Sequence, residues 1–438
     1  MNRKRLFPIL MSFTTIMIMA SCTDQNSIES ITEQPQHHET TSAIRNYEEA
    51  LEIAQNSIKM LESSKSTRSV VSKRRIDLGK SKIYHSARTR SNSSENDTLM
   101  YVFNFEDNQG FAIVSAARQT DGLLAVTEKG YYDPEKKSSI KGFNTFMQMA
   151  ENYVKQASRM KSIEPLDTTG MQSVMIVSDT ITQNVGPYVS INWGQGYACG
   201  EFCPNGLGGD ENICIAQIMS YYEYPTSMSL TYAEADMPSI NLNWSEIKSH
   251  DILHDVYSCT DTTTHNSIGR LIRQIGEHTQ SSYILEADSG YNKTESGIPT
   301  KNAFESLGYT YNSLDFFDFY SAPVIRTHIN NHQLIITRSI NTPSSFEPYS
   351  TWIIDGYIYT IITDYEYFRR YVTAPWELVE TYGPFETQYN HYNWGYYGIN
   401  NGYYNQSVAN TNQIAIPDTN NNSLYVNGIY VFINAVYH

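Results

Sequence analysis

The residues best suited to chemistry lie around a glycine-rich loop and the apolar helix predicted to follow it. The loop contains Gly206, Gly208 and Gly209, and Asp210 and Cys214 follow at the start of the helix. A thiol becomes a nucleophile near neutral pH when a helix N-terminus and a neighbouring imidazole lower its pKa. The spacing therefore predicts an acid, Asp210, in the first turn of this helix, at the place where a thiol would have its pKa lowered.

Two later segments could form the opposite wall of a cleft. One runs from Trp352 to Tyr357 and is preceded by Ser350, and the other runs from His391 to Tyr396. A catalytic imidazole has to come from such a strand wall and is often oriented by a third polar group. An amide donor ahead of the nucleophile helix would complete an oxyanion hole, and Gln195 has that position.

The elements that must position these residues fall into two parts. Apolar residues at helical spacing predict helices over residues 47–61 and 140–160. Three apolar runs, two of them separated by the turn Asp107–Gly110, predict a meander sheet at residues 99–105, 111–115 and 123–127. Residues 45–165 are therefore predicted to form a small α+β domain.

The second part differs in composition. Residues 166–184 are rich in hydroxyl side chains and suggest a linker, and residues 185–438 are denser in Tyr, Trp and Gly. An apolar helix is predicted at Ile213–Tyr222. From Trp352 onward, aromatic and polar residues alternate between Gly and Asn turns, as they do in antiparallel strands.

The N-terminus predicts export. A basic segment, Asn2–Arg5, precedes the apolar run Leu6–Ala20, which is too short to span a bilayer comfortably. Met19-Ala20-Ser21-Cys22 resembles a bacterial lipobox, so residues 1–22 are predicted to be a lipoprotein signal peptide and Cys22 the lipidated residue. An ordinary secretory signal cleaved nearby is the alternative. Residues 23–44 suggest a flexible tether, and the expected location is the outer membrane or cell surface.

The composition limits the classes of partner and cofactor that the protein is expected to bind. The chain has 438 residues, a length that suits two domains, and a formal net charge of −15, which disfavours nucleic acid as a partner. Besides Cys22 there are Cys199, Cys203, Cys214 and Cys259. A Cys199–Cys203 disulfide is possible, but spacing does not fix the pairing. Further ligands at zinc spacing are not evident, so neither a metal nor a cofactor is expected.

In order and spacing, several segments resemble the streptopain-type cysteine peptidases, peptidase family C10. The segments are Gly110–Ala116, similar to the family's prodomain strand, Trp193–Gln195, Ala216–Met219 followed by Tyr224-Pro225, and Asn393–Gly395. The resemblance covers most of the chain. It implies that residues 185–438 have a papain-like fold, with a helical part and an antiparallel sheet part. A small α+β prodomain at 45–165 would precede it.

The resemblance also implies where the catalytic pair should stand. The nucleophile position lies nine residues before Met219, at Asp210, and the histidine position lies two residues before Trp352, at Ser350. Serine cannot act as a general base near neutral pH. Aspartate is a favoured N-cap, worth about 0.5–2 kcal/mol. The interpretation is a catalytically degenerate member that keeps Gln195, Asn393 and Trp394 around its cleft.

Three functions remain open from the sequence. The first is an inactive pseudopeptidase that binds a peptide or protein. The second is an active cysteine endopeptidase with a relocated site at Cys214, served by an unidentified histidine. His328, His332 and His391 lie downstream, but none is predicted to recreate the pair. The third is an inhibitor or decoy whose 45–165 domain acts on an active streptopain-like protease.

Overall fold

The computed structural model of the chain describes residues 26–32, 43–64, 74–85, 98–158, 173–249, 262–286, 291–295, 300–309, 321–339, 350–369, 375–409 and 429–431. The predicted signal peptide, Cys22 and Cys259 lie outside these ranges. Within them, every helix is too short or too polar to cross a membrane.

Helices of the described ranges occur in both parts of the chain. They are α1 (Tyr47–Ser64), α2 (Lys141–Ala157), α3 (Asp210–Tyr222), α4 (Trp244–Ser249), α5 (Thr262–His278), α6 (Thr300–Ser306), α7 (Ala322–Asn330) and α8 (Gln406–Ala409), with single 3₁₀ turns at Glu106–Asn108 and Tyr197–Gly200.

The strands vary greatly in length. They are β1 (Asn26–Thr32), β2 (Lys82–His85), β3 (Thr98–Asn104), β4 (Phe111–Ser115), β5 (Leu123–Thr127), β6 (Ser173–Val185), β7 (Ser227–Ser229), β8 (Ser239–Asn241), β9 (Ser282–Glu286), β10 (Tyr291–Glu295), β11 (Ile335–Ser339), β12 (Ser350–Arg369), β13 (Glu377–Asn393), β14 (Gly402–Asn405) and β15 (Ile429–Val431).

One antiparallel sheet runs through both parts of the molecule. Its order is β1-β6-β12-β13-β14-β5-β4-β3-β2, with β11 beside β12 and β15 beside β11. The N-terminal and C-terminal parts meet where β14 pairs with β5, in the register Gly402↔Thr127, Tyr403↔Val126 and Tyr404↔Ala125. Helices α3 to α6 form the helical part. The predicted α+β, papain-like arrangement preceded by a small α+β domain is confirmed.

The predicted helices and strands of the N-terminal part are confirmed within a few residues of their predicted ends. Helix α2 buries Phe143, Phe146, Ala150 and Val154 on one face, the spacing that places side chains on a single side of a helix. That face packs into a core that also contains Trp352, Trp394 and Tyr404. A separate core surrounds α3 and α5. The contact between α2 and the C-terminal part bears directly on the candidate site.

Two predictions about connecting segments are wrong. The predicted linker at 166–184 contains most of β6, which pairs with β12 from Ser173↔Arg369 to Val185↔Tyr357. The predicted tether at 23–44 contains β1, which pairs with β6. Both segments are rich in Ser and Thr, but they interleave β-branched residues that suit an extended pleated strand.

Strand β12 is 20 residues long, and its outer half forms a ribbon with β6 and β13. We call residues 173–182, 360–369 and 377–387 the ribbon. Half of the large apolar side chains exposed in the described part of the chain lie here, namely Ile176, Ile181, Leu378, Val379 and Phe385. On β13, the partner strand β14 reaches only the inner end, at Tyr389–Tyr392.

Candidate active site at the start of helix α3

Helix α3 begins at Asp210, and Gly209 occupies the cap position with φ 89° and ψ 143°. Glycine adopts this left-handed φ without the steric cost that a Cβ would impose. The expectation that Asp210 is the N-cap is therefore wrong by one residue. Asp210 is the first helical residue, where its carboxylate is still close to the unpaired N–H groups and the positive end of the helix dipole.

The Asp210 carboxylate joins the two walls of the cleft. Its Oδ1 accepts a hydrogen bond from the Glu211 N–H at 2.9 Å, within the first turn of α3. Its Oδ2 accepts one from the Thr351 N–H at 2.9 Å, at the start of β12. Thr351 is buried, so this carboxylate satisfies a main-chain donor that water does not reach. Asp210 is thus a bridge between helix and sheet.

Ser350 lies next to Thr351, at the first position of β12, so the structure brings together Asp210 and Ser350, the two positions that the family resemblance assigns to the catalytic pair. Ser350 is 6% exposed. It is covered by the N-terminus of α2, because a Cβ added at Gly142 would lie 3.0 Å from the Ser350 Oγ and 2.6 Å from Cζ3 of Trp394. The backbone of α2 therefore lies directly against this part of the cleft.

Asn393 ends β13, Trp394 follows it at the start of the next turn, and both are buried. The Asn393 Oδ1 accepts a hydrogen bond from the Gly395 N–H at 3.0 Å, which holds the turn. The Trp394 Nε1 donates to the Asn400 carbonyl at 2.9 Å, and its ring lies 5.1 Å from that of Trp352. Asn393 thus shapes the backbone, and Trp394 forms a wall against α2.

Gln195 lies in the loop that precedes the 3₁₀ turn at Tyr197. The residue is half-buried. Its main-chain carbonyl accepts a hydrogen bond from the Gly208 N–H at 2.7 Å. The Tyr397 hydroxyl accepts one from the Gly196 N–H at 2.9 Å. These bonds keep the loop beside the glycine-rich turn that leads into α3, the place where an amide donor would serve a nucleophile at position 210.

Cys214 lies one turn further along α3 and is fully buried. Its thiol is 3.7 Å from the Thr351 carbonyl oxygen, to which it donates. Burial raises the pKa of this thiol well above its ordinary value, and the carboxylates of Asp210 and Glu211 raise it further. The group is therefore a neutral thiol near neutral pH, which is a poor nucleophile.

The downstream histidines are engaged elsewhere. The His391 Nδ1 lies 2.6 Å from the Asp355 Oδ1, and both side chains are buried. His328 contacts Gln333 through Nδ1 at 2.6 Å, and His332 lies in a turn and contacts a tyrosine hydroxyl through Nδ1 at 2.8 Å. Sequence reasoning missed the His391–Asp355 pair. The antiparallel pairing of the two aromatic strands that carry these residues was the available signal.

The remaining cysteines do not form the disulfide considered from sequence. Cys199 and Cys203 are both buried free thiols, and the Cys203 Sγ donates to the Cys199 carbonyl at 3.9 Å. Burial raises the pKa of Cys203 to about 11. Within the described ranges, no cluster of three or more His, Cys, Asp or Glu side chains is arranged to hold a metal ion.

Comparison with known proteins finds two family matches. The model of the Spi protease inhibitor family matches residues 30–163, and that of the Peptidase C10 family matches residues 193–404. No curated protein matches the chain significantly.

A solved structure of a fragment of Prevotella intermedia prointerpain A, a cysteine-to-alanine mutant, is also similar. It is 15% identical, with a TM-score of 0.48, over 82% of this chain and 99% of that one. The two family matches follow one another along the chain in the order prodomain and peptidase. The chain therefore belongs to the peptidase C10 family and carries a Spi protease inhibitor-type prodomain ahead of its peptidase region.

Proposed function

We propose that this protein is an exported, catalytically inactive member of the C10 family that binds a peptide or protein and does not cut it. The observation that supports this most is the bonding of Asp210. Its two carboxylate oxygens accept the N–H groups of Glu211 and Thr351, so the side chain at the nucleophile position holds the cleft together.

Peptide hydrolysis at this site would need Asp210 to act as a nucleophile and Ser350 to act as a general base. A carboxylate engaged by two N–H donors is stabilised as an anion and is a weak nucleophile toward a peptide carbonyl. Ser350 offers a hydroxyl that cannot take up a proton near neutral pH. Hydrolysis through Asp210 and Ser350 would therefore lack both an activated nucleophile and a general base.

The surroundings of Cys214 argue against a relocated catalytic site at this residue. Its thiol is fully buried and donates to the Thr351 carbonyl, and burial raises its pKa. His391, the buried imidazole on the neighbouring strand β13, is held by Asp355. A cysteine peptidase needs a thiolate that the substrate can reach, and these contacts favour a structural thiol.

The decisive experiment is hydrolysis of casein by the purified full-length chain. We expect no cleavage above buffer from the native protein, and none from Asp210→Asn or Cys214→Ala. Cleavage that disappears in either variant would overturn the proposal. The double change Asp210→Cys with Ser350→His tests whether the rest of the cleft is intact, since it returns the thiol and imidazole to the positions that the family resemblance assigns to them.

Export and lipid anchoring are part of the proposal. The support is the basic, apolar and Cys22-terminated start of the chain. Growth with an alkyne-tagged fatty acid should label the wild-type protein in the membrane fraction, and Cys22→Ser should lose the label. A labelled Cys22→Ser protein, or an unlabelled wild type cleaved at another residue, would contradict anchoring through Cys22.

Inhibition of an active streptopain-like protease by the 45–165 domain is the remaining candidate partner role. The pairing of β5 with β14 counts against it, because the edge of the prodomain sheet is already used within the chain. Activity of a streptopain-like protease titrated with the full-length protein tests this role. Inhibition in the nanomolar range would support it.

A further inference from the structure

We propose that one face of the ribbon rests in the headgroup layer of a lipid bilayer, beside the acyl chains carried by Cys22. The proposal rests on the lipid anchoring proposed above and goes beyond it by naming the surface that meets the lipid. Two features support it: a short connection between Cys22 and the ribbon, and an exposed apolar face.

Strand β1 connects the ribbon to the predicted anchor. It pairs with β6 from Asn26↔Thr182 to Thr32↔Ile176, within the part of β6 that belongs to the ribbon. Only three residues separate Cys22 from Asn26, so this connection spans at most about 14 Å even when fully extended. An acylated Cys22 would therefore hold this side of the ribbon close to the bilayer surface.

The two faces of the ribbon differ in chemistry. Residues opposite each other in an antiparallel pair lie on the same face, as do alternate residues along a strand. The register therefore defines an apolar face that consists of Val177, Ile181, Ile361, Tyr365, Tyr367 and Leu378. On the opposite face, the carboxylates of Asp364, Glu366 and Glu380 are hydrogen-bonded to the hydroxyls of Ser178 and Tyr382.

The apolar face is exposed and partly aromatic. Ile181 is 44% exposed and Leu378 is 54% exposed, and both tyrosines are half-buried. Tyrosine combines an apolar ring with a polar hydroxyl and is enriched where one end of a side chain meets lipid and the other meets water. Two residues beyond Tyr367, the Arg369 guanidinium lies 4.4 Å from the centre of the Trp376 ring, which adds a second amphipathic group.

The charges on the apolar face determine the depth of the contact and the type of lipid. Asp179 pairs with Thr363 and Glu386 with Ile361, so both carboxylates lie on this face. Carboxylates are costly to bury in hydrocarbon, which keeps the face in the hydrated headgroup layer. Since both charges are negative, the contact depends on apolar burial and not on attraction to anionic lipids. Vesicles of neutral phosphatidylcholine are therefore the appropriate probe.

Quenching of a fluorescent dye by the lipid tests the orientation. The acylated full-length protein is reconstituted in phosphatidylcholine vesicles that contain a lipid with a spin-labelled headgroup. A thiol-reactive dye is attached either at Thr381→Cys, on the face of its partner Tyr365, or at Thr180→Cys, on the face of its partner Ile362. The signal of the parent protein, labelled in the same way, is subtracted to correct for the native cysteines. We expect quenching at position 381 to exceed that at position 180 at least about threefold.

Two substitutions at equally exposed positions sharpen the test. Leu378 and Phe385 are each 54% exposed, but Leu378 pairs with Tyr367 on the apolar face and Phe385 pairs with Ile362 on the opposite face. We expect Leu378→Glu to reduce quenching at position 381 at least about twofold, and Phe385→Glu to change it by less than about 20%. Equal reductions in the two variants would contradict a contact through the apolar face.

The outcomes distinguish the ribbon contact from the anchor. Protein that floats with the vesicles but is quenched equally at both positions, or more strongly at position 180, would overturn the contact and leave the anchoring intact. Protein that does not float with the vesicles would contradict the anchoring and the contact together. A Cys22→Ser protein that forms a dimer without vesicles, with the dye at position 381 shielded from water, would assign the apolar face to a second copy of the chain and overturn the lipid contact.

Discussion

Asp210 and Ser350 stand on opposite walls of one cleft, at the two positions that the family resemblance assigns to the thiol and the imidazole. The fold uses them differently. Asp210 makes two hydrogen bonds of its own, to Glu211 and Thr351. Ser350 lies against the prodomain, because a Cβ added at Gly142 would lie 3.0 Å from its Oγ.

The difference shows that the two walls are held in different ways. On the helix wall, Asp210 has a local structural role at the first turn of α3. On the sheet wall, Ser350 lies against Gly142 of a distant segment. The contribution of Asp210 should appear in the stability of the peptidase region, and that of Ser350 in the packing of α2 against β12.

The largest expected effect is on the helix wall. Asp210→Ala removes both acceptors and leaves the buried Thr351 N–H unpaired, which should lower the free energy of unfolding by about 3 kcal/mol. Urea unfolding followed by circular dichroism measures it. Asp210→Asn keeps one carbonyl acceptor and should lose about 1 kcal/mol. Equal losses in the two variants would show that the bond to Thr351 contributes little.

A smaller effect is expected on the sheet wall. Ser350→His overfills the contact with α2 and should cost about 2 kcal/mol in the intact chain, within the range for overpacked cores. Ser350→Ala keeps the space and should change stability by less than about 1 kcal/mol. The same urea titration applies to both. An unchanged midpoint in Ser350→His would mean that α2 can shift to admit an imidazole.

The smallest effect is expected at Cys214, whose native thiol should hardly react. Since burial raises its pKa, the thiolate fraction stays low throughout pH 7–9, and labelling should remain slow over this range although it rises with pH. Alkylation by iodoacetamide, followed by peptide mass spectrometry, should be on the order of 100-fold slower in native protein than in urea. Rapid labelling of the native protein would indicate that Cys214 is a functional thiol. It would contradict the view that Asp210 and Ser350 mark the former catalytic positions of the cleft.

Sequence reasoning found the elements with strong periodicity. Strands β4 and β5 were predicted at their observed bounds, and α1, α2 and β3 were found with modest end errors, because their apolar spacing matches the faces that they bury. The register from Met219 and Trp352 also placed Asp210 and Ser350 at one cleft, as observed through Thr351.

The missing information was mostly long-range. The cap at α3 was misplaced because Gly209 adopts φ 89°, a conformation that sequence favours but does not fix. The coverage of Ser350 by Gly142 depends on two segments about 200 residues apart, and no local pattern reports such a contact. Strand β6 was missed because its hydroxyl residues suggested a linker, whereas pairing with β12 decided its conformation.

The ribbon has a consequence for how copies of the protein meet. In the described part of the chain, the outer edge of β13 from Glu377 to Gln388 has no strand beside it. Pro384 lacks the N–H that an added strand would need, and the register of β13 is interrupted near Val379 and Gly383. Glu380 and Glu386 add negative charge to the same strand. Irregular spacing, a missing donor and mutual repulsion all resist edge-to-edge stacking, so crowded copies should stay individually dispersed.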